Sequence, residues 1–188
     1  MSFEDVTFEK INYTESPFEI TTYEHVIFRN CDFQQVNLGA SKFIECEFHQ
    51  CNLSMAKLGN TSFREVLFQG CKMLGLAFQN CHSFGFQVGF ADCNLSHTSF
   101  YQMKMKKCRL LNCNLQDVDF TESDLTDALF ENCDLFQAKF ENTILEKADF
   151  SSAVNYIIDP ELNIVKHACF SASGLHGLLQ RYNIVIMP

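Results

Sequence analysis

The sequence is dominated by a five-residue period, which is clearest between Cys113 and Phe150. A large apolar residue returns at every fifth position, and a small or β-branched residue stands two positions before each one. The apolar set of this stretch is Leu115, Phe120, Leu125, Phe130, Leu135, Phe140, Leu145 and Phe150. A period of five matches neither an α-helix nor a regular β-strand, so each repeat must combine a short strand with a bend.

The period also predicts which side chains point inward. A central apolar residue and the residue two positions before it lie on the same face of an extended segment. The remaining positions must turn the chain, and turn-forming asparagines such as Asn112, Asn132 and Asn142 cluster there. Bends that repeat in one sense close a coil, and stacked coils pair their backbones about 4.8 Å apart. The chain is therefore predicted to form a solenoid with a ladder of side chains as its core.

The cysteine spacing sets the number of repeats in one coil. Cys31, Cys51 and Cys71 are 20 residues apart, as are Cys93, Cys113 and Cys133, whereas the step from Cys71 to Cys93 is 22. Four pentapeptides per coil place all six on one column, while a three-repeat coil would scatter them. The prediction is an all-β, quadrilateral β-helix solenoid.

The ten cysteines are interpreted as small buried hydrophobes. All except Cys169 occupy the small-residue position of the period, and no CxxC pair of the kind that binds zinc is present. Disulfides and a metal site are the less favoured alternatives, and no metal or cofactor is expected.

An irregular segment, HSFGFQVGF, interrupts the period between Ser83 and Phe90 and adds two residues. Gly85 and Gly89 fit a bulge or a small loop. Phe84 and Phe86 fall off the period, so one reading makes them an exposed loop contact. The alternative is that one of them fills the core position that Ser83 leaves vacant.

The period ends after Phe150, which divides the chain into a β-helix over residues 1–158 and a terminal module over residues 159–188. The module is expected to complete the last coil and to add a short helix, capped by Ser173 and ended by Asn183, and then a strand over IVIMP. Because an open solenoid end exposes strand edges, this module is predicted to cap the coil and to form a homodimer. The predicted dimer interface is the apolar helix face of Leu175, Leu178, Leu179 and Tyr182.

The charge and hydropathy of the chain limit the classes of partner that it is expected to bind. The formal net charge of −9 and the pI of about 5.0 argue against non-specific binding to nucleic acid, and they favour either solubility or a partner with a basic surface. The residues after Met1 do not resemble a signal peptide, and no apolar run has the roughly 18 residues of a membrane span. The expected location is the cytoplasm, with no membrane partner.

An enzyme is not predicted. The sequence has no glycine-rich phosphate loop, HExxH motif or nucleophile elbow, and its six histidines show no repeated spacing. A core filled by Phe and Leu also leaves little room for a substrate pocket.

Charge patterning gives the functional hint. No Lys or Arg occurs between Arg109 and Lys139, and acids occupy outward positions there: Asp117, Asp119, Glu122, Asp124, Asp127, Glu131 and Asp134. One reading is a charged outer face that keeps the solenoid soluble. The other is an acidic strip that fits a DNA-binding groove, with an attraction that weakens as salt is added.

The repeat resembles the A(D/N)LXX motif of the pentapeptide-repeat family, as in Ala148-Asp149-Phe150, Ser123-Asp124-Leu125 and Cys133-Asp134-Leu135. The resemblance covers nearly the whole chain and implies a right-handed quadrilateral β-helix. The ending, from Ile158-Asp159-Pro160 to Ile186, is similar to that of the Qnr quinolone-resistance branch. There the module forms an end-to-end dimer, which resembles a DNA duplex and acts on DNA gyrase and topoisomerase IV.

The chain differs from that branch in its loops, because only a two-residue insertion interrupts the coils. No binding residue is therefore carried over by position, and the alternative function is a scaffold for another, unknown protein. With about 7.5 coils of roughly 4.8 Å, a monomer is expected to be about 36 Å long. An end-to-end dimer then approaches the length of about 20 base pairs.

Overall fold

The computed structural model describes residues 2–185 and residue 187, and it shows a four-sided parallel β-solenoid. Two of its faces carry sheets of short strands. The strands are β1 (Ser2–Glu4), β2 (Thr7–Glu9), β3 (Thr22–Glu24), β4 (Ile27–Arg29), β5 (Lys42–Ile44), β6 (Glu47–His49), β7 (Ser62–Arg64), β8 (Val66–Gln69), β9 (Val88–Ala91), β10 (Arg109–Leu111), β11 (Leu129–Glu131), β12 (Asp149–Phe150) and β13 (Cys169–Phe170).

The four faces follow one another along each coil. Face 1 holds the four-stranded sheet β1-β3-β5-β7 and continues beyond it as bridges such as Lys104↔Asp124. Face 2 holds a nine-stranded sheet from β2 to β13. Faces 3 and 4 are stacked by single parallel bridges, of which Asp32↔Asn52 and Asn37↔Lys57 are examples. The predicted fold class and the four repeats per coil are confirmed.

The register shows both the coil length and the insertion. Phe28 pairs with Phe48, 20 residues ahead, whereas Phe68 pairs with Phe90, 22 residues ahead. Each strand therefore lies directly above the same part of the preceding coil, and the two extra residues are confined to one corner.

Most bends use a left-handed backbone conformation at the second residue after the central one. Asn132 (φ 52°) and Asn30 (φ 53°) suit this conformation, since Asn tolerates it better than most residues. Glu45 (φ 51°) and Lys107 (φ 60°) are held there as well. The stacked coils impose the conformation on residues that do not favour it.

The core is a stack of aromatic rings and small side chains. Phe130 and Phe150 are fully buried and stack with ring centroids 4.5 Å apart and planes 12° apart. Burying such a side chain contributes about 1.5–3 kcal/mol. Nine cysteines are buried beside the rings, as predicted, whereas Cys169, the one that lies off the small-residue position of the period, is exposed. Seven of these buried thiols donate to carbonyl oxygens of the coil below, as Cys51 does to Phe28 (3.4 Å).

The C-terminal helix is shorter and less regular than predicted. It consists of a 3₁₀ turn (Ala172–Gly174), one α-helical turn, α1 (His176–Leu179), and a second 3₁₀ turn (Gln180–Tyr182). Ser171 caps the first turn by accepting a hydrogen bond from the Gly174 N–H (3.1 Å), so the assignment of the cap to Ser173 was wrong. The turn starts as soon as β13 ends, which leaves Ser173 inside it.

The described residues at the end of the chain do not form the predicted strand. Asn183 terminates the helical segment in a left-handed conformation (φ 47°), as predicted. Ile184, Val185 and Met187 have no strand partner, and Ile186 and Pro188 lie outside the described residues. No helix in the described part of the chain is long and apolar enough to cross a membrane.

Candidate interaction surfaces

The seven acids do not form one strip. Their positions in the coil distribute them over the whole circumference of the solenoid. Asp124 lies on face 1, Glu131 in β11 on face 2, Asp134 on face 3 and Asp119 on face 4. Asp117, Glu122 and Asp127 occupy three of the corners between faces, where the backbone is left-handed. The acids therefore form a band around the sixth and seventh coils, which we call the acidic band.

Three members of the acidic band also stabilise the turns. Asp119, Asp124 and Asp134 each stand one position before a central residue. Their Oδ1 atoms accept hydrogen bonds from the N–H two residues ahead, at 2.9, 3.2 and 3.1 Å respectively. Asn114 makes the same bond to Gln116 (3.0 Å), which explains why Asp and Asn alternate at this position of the motif. These three carboxylates have a structural role whether or not they bind a partner.

The Asp124 side chain is largely enclosed, with 16% of it exposed. It accepts hydrogen bonds from the Thr126 hydroxyl (2.6 Å) and backbone N–H, and Lys106 lies 3.2 Å away. Burial alone raises the pKa of this carboxyl, but the bonds from Thr126 and Lys106 outweigh it and lower the pKa below its usual value. Asp124 is thus ionised at neutral pH and partly neutralised by Lys106.

The other four acids project from the surface. Asp117 lies 3.6 Å from His97, and Glu122 accepts a hydrogen bond from the Gln102 amide (2.7 Å). Asp127 and Glu131 are exposed. Among the described residues, no Lys or Arg side chain lies within 4.0 Å of these four carboxylates. They are the acids of the band that remain most available to a basic partner.

The fold places the four residues of the predicted dimer interface in different environments. Leu175 (45% exposed) and Tyr182 (50% exposed) face solvent, whereas Leu178 is half-buried and packs against the core. Leu179 lines a surface groove of about 370 Å³ together with Phe136, Ile157, His176 and Ile184. The four residues do not share one free face, because the short helical turns rotate Leu178 inward.

The same end carries further exposed apolar residues, and four of them, Val154, Ile157, Leu162 and Ile164, were missed by the sequence reasoning. Nine of the fifteen exposed large apolar side chains lie between residues 154 and 187: Val154, Ile157, Leu162, Ile164, Leu175, Tyr182, Ile184, Val185 and Met187. The first four occupy positions of the repeat that are mostly polar in earlier coils. Apolar residues at these positions were the signal in the sequence that could have identified this surface. The C-terminal end is the most apolar part of the described surface.

Charged residues fasten the helical segment to the last coil. Arg181 donates to both carboxylate oxygens of Asp159 (2.9 and 2.6 Å) and lies 3.1 Å from Glu161. The guanidinium lowers the pKa of the Asp159 carboxyl. Tyr182 donates to Glu161 (2.6 Å), and this bond raises the pKa of the phenol.

The insertion places its two aromatic residues differently. Phe86 is half-buried, packs against the core and meets Phe78 edge-to-face with centroids 5.9 Å apart. It fills the core position that Ser83 leaves vacant. Phe84 is 72% exposed, and the Arg64 guanidinium lies 5.7 Å from its ring centroid. Both alternatives from the sequence are therefore realised, one by each residue.

One side-chain cluster in the described part of the chain has the composition of a metal site. Ligand atoms of Glu4, Asp5 and His25 lie within 4.8 Å of one another, and all three residues are exposed. The His25 ring already pairs with Asp5 (3.7 Å) and Glu45 (3.3 Å) through its two nitrogens. The cluster is an ordinary stack of charged residues along one corner of the solenoid.

Comparison with known proteins supports the repeat assignment. The family model described as a pentapeptide repeat region matches residues 86–153, and the model described as pentapeptide repeats (8 copies) matches residues 26–58 and 46–82. No curated protein sequence matches the chain significantly.

Solved structures with a similar fold include QnrB1, described as a plasmid-mediated fluoroquinolone resistance protein. One trypsin-treated variant is 18% identical with a TM-score of 0.54, and all of both chains is covered. A second is 20% identical with a TM-score of 0.50, covering 100% of this chain and 99% of that one. HetL from Nostoc sp. strain PCC 7120 is 16% identical (TM-score 0.48), covering 90% of this chain and 86% of its own. At these identities the QnrB1 likeness shows a shared fold.

Proposed function

Because the chain belongs to the pentapeptide-repeat family, we propose that it is a non-catalytic protein-interaction module whose acidic coils imitate duplex DNA and bind a type II topoisomerase. The observation that carries this proposal is the acidic band. Its seven carboxylates surround the solenoid within residues 117–134, in a stretch that contains no Lys or Arg.

The charge density supports imitation of DNA. B-DNA carries one negative charge per roughly 1.7 Å of its axis, so the height of one coil, about 4.8 Å, corresponds to about three phosphates. Residues 117–134 make slightly less than one 20-residue coil and hold seven carboxylates. Phosphates surround a duplex on all sides, and a band around the solenoid reproduces this feature better than a strip on one face. A basic DNA-binding groove would be attracted from several directions.

The C-terminal surface supports assembly into an end-to-end dimer. Exposed apolar side chains concentrate there, and patches of this kind mark interfaces. A two-fold axis at this end would bury the same patch on both copies and would place one acidic band on each side. The dimer would then approach the length of about 20 base pairs.

Neutralisation of the projecting acids tests the proposal. Asp117→Asn, Glu122→Gln, Asp127→Asn and Glu131→Gln are combined, because these positions remove four charges without touching the three turn-forming aspartates. The control combines Glu4→Gln, Glu9→Gln, Glu15→Gln and Glu19→Gln, which removes four exposed acids from the first coil.

The readout is DNA supercoiling by purified gyrase, with and without a quinolone, at two salt concentrations. We expect the wild type and the control to shift supercoiling or quinolone inhibition, and the band variant to need at least about tenfold more protein. The effect should weaken as salt is raised. A wild type that leaves both gyrase and topoisomerase IV unchanged at micromolar concentration would overturn the topoisomerase proposal and leave a scaffold for another protein as the alternative.

A further inference from the structure

A groove of about 490 Å³ crosses the middle of face 2. It lies over β8, β9 and β10, and its floor is formed by Leu67, Gly89, Ala91 and Leu111. Leu67 is 38% exposed, which is unusual for a large apolar residue in this sheet. The groove lies on coils four to six, away from the C-terminal module.

A missing side chain creates the groove. Gly89 pairs in register with Leu67 on one side and with Arg109 on the other, at a position whose side chain points outward. A Cβ atom at Gly89 would lie 3.5 Å from Leu67 Cδ1 and 3.9 Å from the Arg109 carbonyl, both ordinary contacts. Strand β9 can therefore accept a side chain here, and the glycine leaves space that the fold does not require.

The insertion opens the edge of the groove on the side of face 1. The face 1 sheet ends at β7, because residues 83–85 loop outward in the next coil. Phe86 and Gln87 return from this loop and line the groove. The irregular segment thus shapes the corner beside Gly89.

Positive charge borders the groove. Lys106, Lys107 and Arg109 line it, and with Lys104 they account for four of the 14 basic residues of a chain with net charge −9. Lys106 pairs with Asp124 at 3.2 Å. For Lys107 and Arg109 the described residues provide no carboxylate within 4.0 Å. Glu65 is the one acid that lines the groove.

We propose that this groove binds an extended acidic peptide segment of a partner protein, with one large apolar side chain of the segment seated over Gly89. Burying the apolar floor under the peptide side chain contributes favourable binding free energy, about 25 cal/mol per Å² of apolar surface. The long side chains of Lys107 and Arg109 can reach carboxylates on either side of the seated residue, and charge complementarity fixes the direction of approach.

The same features disfavour a nucleic acid as the occupant. The floor offers aliphatic side chains and a glycine, and of the two aromatic residues in the lining Phe90 is buried and Phe86 packs against the core, so neither is a free platform for base stacking. Three bordering cations in a chain of net charge −9 also give little attraction to a long polyanion. The proposal is separate from topoisomerase binding, because the groove is lined by residues 65–111, outside the acidic band of residues 117–134, and carries charge of the opposite sign.

The test uses an array of synthetic nonapeptides that carry four Asp or Glu residues and one central Leu or Phe. Matched peptides have Ser at the centre, and a second matched set has Lys in place of every acid. Fluorescence anisotropy gives the affinity of each binding peptide, and amide chemical shifts of Gly89, Ala91 and Leu111 locate it.

Three variants decide the outcome. Gly89→Val fills the groove with a residue that suits a strand, so the fold should be kept while affinity falls at least about tenfold. Lys107→Glu with Arg109→Glu should abolish binding. Lys57→Glu with Lys72→Glu, on faces 4 and 3, is the charge-matched control and should bind within about threefold of the wild type after allowance for net charge.

Loss of binding on Ser replacement, together with loss in Gly89→Val, supports the proposal. It is overturned if no peptide of the array binds, if Ser-centred peptides bind equally well, or if Gly89→Val binds like the wild type. Preferential binding of a single-stranded oligonucleotide over every acidic peptide would also overturn it.

Discussion

The Ile158 N–H donates a hydrogen bond to the Gly177 carbonyl oxygen at 3.1 Å, and this bond joins the last coil to helix α1. Gly177 is buried against Tyr156, whose carbonyl oxygen occupies the space that a Cβ atom at position 177 would need. Gly174 packs in the same way against the Tyr156 side chain. The terminal helix therefore sits close to the coil only because glycine stands at these two positions.

Gly177→Ala should separate the helix from the coil. The added methyl group overlaps backbone atoms, which cannot give way as a flexible side chain can, so we expect a loss of about 1–3 kcal/mol in the free energy of unfolding. Urea denaturation measures it. Gly59→Ala is the control, because a Cβ atom at Gly59 would meet nothing within 4 Å, and its effect should be at most about 1 kcal/mol. Equal effects of the two substitutions would contradict the close contact.

The dimer should depend on residues that are exposed in the monomer. Val185 (85% exposed) and Ile184 (56% exposed) carry no core contact that their substitution would disturb. Ile184→Asp with Val185→Asp should give monomers by light scattering, whereas Ile20→Asp, at a 52% exposed residue of the first coil, should not change the mass. A monomeric wild type at high concentration would refute the dimer. Leu178 is unsuitable for this test, because it packs on the core.

Removal of a core ring should cost far more than removal of an exposed one. Phe130→Ala truncates a fully buried ring that stacks on Phe150, and we expect a loss of about 3–5 kcal/mol. Phe84→Ala removes a ring that is 72% exposed and touches Arg64, so its effect should stay within about 0.5 kcal/mol. Chemical denaturation compares the two variants. Similar losses would contradict the stacked core.

Thiol reactivity should separate Cys169 from the other cysteines. Nine thiols are buried, and burial raises the pKa of Cys108 to about 12, which suppresses its reactive thiolate. Ellman's reagent should therefore titrate about one thiol quickly in the native protein and ten after denaturation. Cys169→Ser should remove the fast phase. Several fast thiols in the native wild type would be incompatible with the buried column.

The ion pair of Arg181 with Asp159 should make the terminal module sensitive to acid. Arg181 lowers the folded-state pKa of Asp159 below its unfolded value, so the stabilisation is complete above that value, near pH 4. It is lost as pH falls further, through the folded-state pKa. Arg181→Gln should be less stable than the wild type at neutral pH, and the difference should shrink below about pH 4. Thermal unfolding across this range measures both, and a difference that does not depend on pH would argue against the pair.

The repeat could be read from the sequence because each of its positions has one local role. A central residue such as Phe130 points inward. In many repeats the residue before the central one is Asp or Asn, and its side chain accepts a hydrogen bond from the N–H two residues ahead, as Asp134 does before Leu135. The bend itself was harder to predict, since Glu45 and Lys107 adopt left-handed conformations that their residue types do not favour. There the stacking of neighbouring coils overrides local preference.

The candidate surfaces were predictable only in part. The seven acids were identified, but their arrangement as a band instead of a strip depends on how consecutive repeats fall on consecutive faces. The outward positions of Ile157 and Ile164 and the space above Gly89 follow from packing between coils that are 20 or more residues apart. Contacts over such sequence separations cannot be predicted from the residues adjacent in sequence.

The sequence alone determined the solenoid and the burial of nine cysteines through the five-residue period, and its four sides through the 20-residue spacing of the cysteines, because the same inward and outward choices repeat in every coil. Only the tertiary structure decided how Phe84 and Phe86 divide the insertion, how Leu178 turns inward, and where a groove opens over Gly89. These outcomes occur where the repeat is broken. A broken repeat no longer specifies its own neighbours, so packing against the adjacent coils determines which side chains are buried and which remain free to bind.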